Sequence, residues 1–216
     1  MTWFLDHLPR VWELLVTHAW LAAVPLVVGL VIALPVGWVA TRYAAFYGPL
    51  VAATGLLYTI PSLALFVLMP SILGIGILSP LNVVVALTLY TVALLVRTVA
   101  DGLNAVPDSV VASATAMGIG PARRFFTIEL PLAVPVIASG LRVAAVSNVS
   151  IVSVAALIGV AQLGSLFTDG FARAFIDPIL VGIVVCMALA MVFDGVIVLA
   201  SRWITPWTRQ TRGSAA

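Results

Sequence analysis

Five long apolar stretches constrain the fold of this chain more than any other feature. Each has about the 20 residues that a helix needs to cross the hydrocarbon core of a bilayer. They lie at about 19–40, 50–70, 81–100, 132–160 and 178–203, and Pro61 interrupts the second. Only 8% of the 216 residues are charged, against roughly a quarter in a soluble domain. The sequence therefore predicts an all-α integral membrane protein with five transmembrane helices.

The placement of arginines predicts how these spans are oriented. All ten basic residues are arginines, and five spans put the loops 41–49 and 101–131 on the same side as the C-terminal tail. That side carries Arg42, Arg123, Arg124, Arg202, Arg209 and Arg212, with Arg97 near the same edge. The opposite side carries only Arg10 and Arg173. Because arginine-rich loops stay in the cytoplasm, we expect the N-terminus outside and the C-terminus in the cytoplasm.

Three segments follow from this pattern. Residues 1–18 contain too many charges to span, which predicts an amphipathic extracytoplasmic helix at the membrane interface. His7 and His18 are expected there as solvated residues, and the sequence predicts no metal site. Residues 19–203 form the transmembrane domain, which includes the loop 101–131, and 204–216 form a cytoplasmic tail.

The loop 101–131 is the longest polar segment in this apolar chain. Pro107 can begin a short helix, and Gly118 suits the left-handed residue that ends one. Pro121 can begin a second piece that continues to Glu129, and Pro131 is expected to end it before the fourth span. The small residues of the first piece would let another backbone approach closely. A connector anchored on phospholipid is the alternative.

The spacing within this loop resembles a known motif. Gly118, nine residues, Ile128, one residue and then Leu130-Pro131 resembles the EAA loop of the membrane subunits of ABC importers. Ala112 replaces the glutamate that names the motif, so docking should depend on shape and on the turn at Gly118 more than on an ion pair from position 112. The predicted ATPase-coupling residues are Ala112, Ser113, Ala114, Met117, Gly118, Arg123 and Arg124.

Further segments are similar to permeases that take up quaternary amines such as glycine betaine, choline and carnitine. They are Tyr58-Thr-Ile-Pro-Ser-Leu-Ala-Leu65, Gly74-Ile-Gly76, Leu89-Tyr90 and Leu130-Pro-Leu-Ala-Val-Pro-Val-Ile137. The similarity extends from about Val24 to Ala200. Five-span permeases for methionine share the same size and loop and form the alternative.

The resemblance implies a type I ABC importer permease fold with a cytoplasmic coupling helix, in a bacterial cytoplasmic membrane. It also implies a second permease, identical or homologous, cytoplasmic ATPase subunits below the pore and an extracytoplasmic substrate-binding protein above it. No nucleic acid partner is expected. ATP and magnesium would bind the ATPase, leaving this chain a non-enzymatic pore subunit without a cofactor. The chain contains no lysine, which excludes a nucleotide-binding P-loop.

Ionisable and polar residues within the spans are the remaining candidates. Charges there are costly, so we expect Arg142 and Asp194 to pair across the bundle, with Arg97 as the alternative partner of Asp194. The candidate pore-lining residues are Tyr58, Pro61, Tyr90, Asn148 and Ser150. Aromatic faces can bind a quaternary ammonium, while helix packing is the alternative role for these side chains.

Two other classes of protein compete with the importer permease. A stand-alone channel or secondary carrier would work without an ATPase, but no inverted repeat typical of carriers is visible. A membrane-embedded enzyme needs a nucleophile and base within the spans, and Cys186 and Asp194 are isolated candidates.

Overall fold

The computed structural model describes residues 2–209, and this part of the chain is helical without a strand. The helices are α1 (Thr2–Asp6), α2 (Leu8–Arg42), α3 (Ala44–Thr59), α4 (Ser62–Leu73), α5 (Pro80–Asn104), α6 (Asp108–Ala116), α7 (Pro121–Arg124), α8 (Leu130–Val154), α9 (Ser165–Ala172) and α10 (Ile176–Ile204). A π-helical turn covers Phe125–Glu129, and 3-10 turns cover Ala155–Ile158 and Pro206–Arg209. Of the predicted tail, 204–209 can be compared, while 210–216, with Arg212, lie outside the described residues.

Four helices in the described range are long and apolar enough to cross a membrane. They are Leu8–Arg42, Pro80–Asn104, Pro121–Ile158 and Ile176–Ile204. The second predicted span is instead a bent pair, because α3 and α4 meet at an angle of 101°. The bend falls at Ile60 and Pro61, both of which have extended backbone. A residue before proline is driven out of the helical conformation, which explains why the helix stops there.

The contacts at its two ends show that the bent pair connects opposite ends of the bundle. At the start of α3, the Tyr47 hydroxyl donates to Asp101, near the end of α5, over 2.8 Å. After α4, Leu78 packs against Gly159, which follows α8. Together α3 and α4 therefore amount to one crossing, and the described chain has five.

The first span differs from its predicted limits. The helix α2 begins at Leu8 and continues through residue 18 without a break. His18 is completely buried, with Nδ1 3.0 Å from Gln162 Oε1 and Nε2 2.9 Å from Val149 O. The expectation of a solvated His18 is wrong, because this face of α2 packs against α8 and the segment that follows it. The interfacial position of residues 1–18 stays a prediction.

The central helix of the bundle is α5, which packs against α2, α3, α4 and α8. Gly29 allows α2 to approach it closely, since a Cβ at this position would lie 2.5 Å from Thr91 Cγ2. The Asn148 amide of α8 donates to Thr91 Oγ1 over 3.1 Å and to Ala22 O over 3.3 Å. One buried polar contact therefore joins three spans.

The entry into the fourth span also differs from its prediction. Pro131 does not end the second piece of the loop, since 121–158 form one continuous helical segment. In the wide turn Phe125–Glu129 that precedes α8, the Leu130 N–H donates to Phe125 O. Pro131 lies at the beginning of α8, where a missing N–H is tolerated. The π-helical turn therefore carries the chain past the proline without a break.

The close approach at Gly29 leads to a stability prediction. We expect Gly29→Val to destabilise the bundle, because overpacking a close contact costs about 1–3 kcal/mol. The control is Gly195→Val in α10, where a Cβ would have nothing within 4 Å. The protein is heated, and the fraction that stays monodisperse is measured by size-exclusion chromatography. The temperature at which half is lost is the thermal midpoint. Equal midpoints for the two variants would contradict the role of Gly29.

Candidate functional site

The helix α6 is a short, well-defined element between the third and fourth spans. Asp108 lies in its first turn, where a carboxylate favours the helix N-terminus. At its end, the Ile119 N–H donates to Ala114 O over 3.1 Å and the Gly118 N–H to Thr115 O over 2.9 Å. Gly118 has a φ of +75°, the left-handed conformation that closes such a cap. The predicted end of the first loop helix is therefore present.

Most of the predicted coupling residues lie on the exposed face of α6 and the turn after it. Ala112, Ser113 and Gly118 are exposed, as is Met117, whose exposed fraction is 70%. Ala114 is the exception, because it is buried against the chain itself. The outer face is thus made of small residues and one methionine, which can fit closely against another protein.

The two predicted arginines have different positions. Arg123 is exposed, whereas the Arg124 side chain is only 8% exposed. Arg124 Nε donates to Glu129 Oε1 over 2.6 Å, and its NH1 donates to Thr115 Oγ1 over 2.5 Å. Arg124 is therefore engaged within its own chain and is unsuited to pair with an acidic partner group.

Glu129 is the centre of this arrangement. Its side chain is 9% exposed, and Arg42, at the end of α2, donates to its Oε1 over 3.1 Å. We call Arg42, Thr115, Arg124 and Glu129 the Glu129 cluster. It links α6 to the end of the first span and to the start of the fourth. Removing one partner of a buried ion pair strongly destabilises a fold, so Arg124 and Glu129 hold each other in place.

Glu129 was missing from the predicted site residues. A signal for it was present, since it is the only acidic residue of the second loop piece and stands five residues after Arg124. Its second partner lies 87 residues away in the sequence, and no local pattern connects the two.

The intramembrane ions form two separate pairs. Arg142 Nε lies 2.6 Å from Asp194 Oδ1, and its NH2 lies 2.9 Å from Oδ2, which is a two-pronged contact between α8 and α10. Arg97 does not reach Asp194; its Nε lies 3.7 Å from Asp101 Oδ2, one turn along the same helix. The alternative pairing of Arg97 with Asp194 is therefore wrong.

The candidate pore-lining residues separate into buried and exposed groups. The buried Tyr90 hydroxyl donates to Ile60 O at the break between α3 and α4, and the Asn148 side chain joins helices. Tyr58, Pro61 and Ser150 are exposed. Tyr90 and Asn148 thus hold the bundle together, whereas the other three have surfaces that a solute could reach.

Tyr58 lines an open cavity of about 400 Å³ between α3, α5 and α8. The polar residues among its walls are Thr54, Tyr58, Arg97 and Thr98. The Tyr58 ring also meets the Tyr90 ring edge-on, with centroids 5.6 Å apart. In the described part of the chain, no group of three or more His, Cys, Asp or Glu residues could hold a metal ion.

A bundle of five crossings with a short exposed helix on an anchored loop defines the class, a multi-pass membrane protein. The family model described as binding-protein-dependent transport system inner membrane component matches residues 26–206, and the chain belongs to this family. The resemblance based on the loop spacing is confirmed at this level. The family sets aside a stand-alone channel, a secondary carrier and a membrane-embedded enzyme.

Two relatives extend over most of the chain. The osmoprotectant import permease protein OsmW of Salmonella typhimurium is 33% identical and covers 89% of this chain and 90% of that protein. The choline transport system permease protein OpuBB of Bacillus subtilis is 30% identical and covers 88% of this chain and 86% of that protein. The similarity to permeases for osmoprotectants and choline is thereby confirmed.

The fold matches solved transporters. A chain of the MetNI methionine ABC transporter, solved in inward-facing conformations, superposes with a TM-score of 0.80 at 22% identity. The match covers 94% of this chain and 98% of that chain. The predicted type I ABC importer permease fold is confirmed.

The Glu129 cluster leads to a prediction about local opening. We expect Glu129→Gln to increase amide hydrogen exchange in α6, because the buried Arg124 and the partly exposed Arg42 lose their shared carboxylate. The matched control is Glu13→Gln, since Glu13 is exposed on α2. Peptide-level exchange followed by mass spectrometry checks this. Unchanged exchange over 108–116 in Glu129→Gln would show that the cluster does not anchor α6.

The pair between α8 and α10 leads to a second prediction. Asp194→Asn should lower the thermal midpoint, because an unpaired arginine would remain within the apolar layer. The double substitution Arg142→Leu with Asp194→Leu should recover much of the loss, because no unpaired charge remains. Measuring both midpoints checks this, and a double variant no more stable than Asp194→Asn would count against pairing as the cause.

Proposed function

We propose that this chain is the permease subunit of an ATP-driven importer for a small osmoprotectant such as glycine betaine, choline or carnitine. The family supports this substrate class, and so do the two relatives, which match this chain over most of their own length. The N-terminus lies outside and the C-terminus in the cytoplasm. The arginine asymmetry supports this orientation, because it puts the loop with α6 on the arginine-rich side.

The observation that carries the coupling role is the combination of an exposed outer face and a buried anchor at α6. Ala112, Ser113 and Met117 are exposed, while Ala114 is buried and Thr115 Oγ1 accepts a hydrogen bond from the buried Arg124. When a partner displaces a helix attached in this way, the displacement is transmitted to α2 and α8. We infer that its outer face docks on a cytoplasmic ATPase subunit, which binds ATP and magnesium.

The remaining subunits follow from the same proposal. A second permease, identical or homologous, completes the pore, and an extracytoplasmic binding protein delivers the solute. ATP-driven movement of the ATPases shifts the two permeases between inward-open and outward-open states, because each ligand favours one state. The coupling residues of this chain are Ala112, Ser113, Met117, Gly118 and Arg123, while Ala114 and Arg124 position them from within.

The test uses the complete transporter reconstituted in proteoliposomes with its binding protein. We expect Gly118→Val to reduce ATP-driven uptake of radiolabelled glycine betaine at least about tenfold, because a β-branched residue is strained in the left-handed conformation. The matched control, Gly120→Val, should retain uptake, since Gly120 has a φ of −64° and open space around it. Basal ATP hydrolysis measured on the same samples shows whether the ATPase is intact.

Two outcomes would contradict the proposal. Full uptake by Gly118→Val would remove the coupling role of this turn. A reconstituted parent transporter that takes up none of glycine betaine, choline and carnitine would remove the substrate class, whatever the loop variant does.

A further inference from the structure

The cavity between α3, α5 and α8 contains an unusual pair of groups for a membrane-embedded surface. Tyr58 contributes an aromatic ring that is 43% exposed, and Arg97 a guanidinium on a side chain that is 67% exposed. Arg97 lies within α5, seven residues before its end. Arginines in spans normally face a water-filled cavity or a partner, and this one borders a cavity of about 400 Å³.

The guanidinium forms only a long ion pair with its nearest carboxylate. Its contact with Asp101 measures 3.7 Å, which is too long for a hydrogen bond. Asp101 already accepts a hydrogen bond of 2.8 Å from Tyr47. The carboxylate nearest to Arg97 is therefore shared, and a better-placed carboxylate could form a two-pronged contact with the guanidinium.

The two threonines of the cavity cannot replace Arg97 as donors. The Thr54 hydroxyl donates to Leu50 O over 2.9 Å, and the Thr98 hydroxyl donates to Leu94 O over 3.1 Å. Both protons are thus directed at backbone carbonyls of their own helices. Among the described residues that line this cavity, Arg97 is the only one with a charge.

We propose that this cavity is a transit site for zwitterionic quaternary amines, in which Arg97 binds the carboxylate and the Tyr58 ring faces the trimethylammonium group. The inference rests on the proposed function and deepens it. A quaternary ammonium is attracted to an aromatic face. The site therefore favours glycine betaine or carnitine over choline, because choline has no carboxylate and its charge is repelled by the guanidinium.

The test measures binding to the permease–ATPase complex in nanodiscs without the binding protein. We expect saturable binding of radiolabelled glycine betaine, with unlabelled choline competing at least about tenfold less well than unlabelled carnitine. Arg97→Gln should weaken the binding at least about tenfold, and Arg97→Lys less, because an ammonium keeps the charge but loses the two-pronged geometry. Tyr58→Leu should weaken binding, while Tyr58→Phe should retain it.

Asp101→Asn is the matched control. It removes the acidic neighbour of Arg97 but keeps the guanidinium, so it should bind glycine betaine as well as the parent or better. If it loses binding to the same extent as Arg97→Gln, the effect comes from the helix and the proposed site is wrong. Absence of saturable binding, or equal competition by choline, would also overturn the site.

ATP-driven uptake by the complete transporter, measured in parallel, separates this proposal from the one on which it rests. Uptake of glycine betaine that is insensitive to Arg97→Gln would overturn the transit site and leave the proposed function intact. A parent transporter that takes up no quaternary amine would overturn both.

Discussion

The close contact between α2 and α5 is the interaction on which the rest of the bundle depends. Gly29 and Gly37 are eight residues apart on α2 and meet Thr91 and Val99, also eight apart, on α5. In a bilayer the lipid tails are as apolar as the side chains, so helices associate through close packing rather than hydrophobic burial. Matching spacings keep the two helices parallel and in register over two turns. Since α5 also contacts α3, α4 and α8, its position sets that of every other crossing except α10.

Buried polar groups then fix the helices laterally. Asn148 joins α8 to α2 and α5, while His18 joins α2 to Val149 and Gln162. The Gln162 amide is itself oriented, because its Oε1 accepts the Gly164 N–H over 2.5 Å and its Nε2 donates to Ser153 O over 3.3 Å. An unsatisfied polar group in an apolar layer costs roughly several kcal/mol. These contacts therefore favour one arrangement of the helices over others. Under the proposed transit site, the exposed side chains of Arg97 and Tyr58 are the groups that contact solute.

Features encoded by neighbouring residues were predictable from the sequence, whereas features made by distant ones were not. The spans, the break at Pro61 and the left-handed Gly118 each follow from composition or from one residue's backbone preference. The sequence predicts a solvated His18 because residues 1–18 carry many charges, and its partner Gln162 lies 144 residues away, beyond the reach of any local pattern. The pairing of Arg42 with Glu129 was missed for the same reason. A proline predicts a helix stop, so the sequence does not indicate the π-helical turn; at the start of α8, however, the missing N–H of Pro131 breaks no helical hydrogen bond.

Under the proposed function, the missing glutamate at position 112 and the buried Glu129 are related. Ala112 provides no charge for a partner, so contact with an ATPase at this position of α6 depends on shape and on the turn at Gly118. Contacts of that kind transmit a displacement well only if α6 is held firmly against the other helices of its own chain. The Glu129 cluster meets this requirement. Arg124 donates to Thr115 on α6, and the Glu129 carboxylate is shared by Arg124 and by Arg42 on α2. Because Glu129 directly precedes α8, a movement of α6 reaches the first and fourth spans together. The contacts that keep α6 fixed on its bundle are therefore those of the Glu129 cluster, on the inner side of the loop.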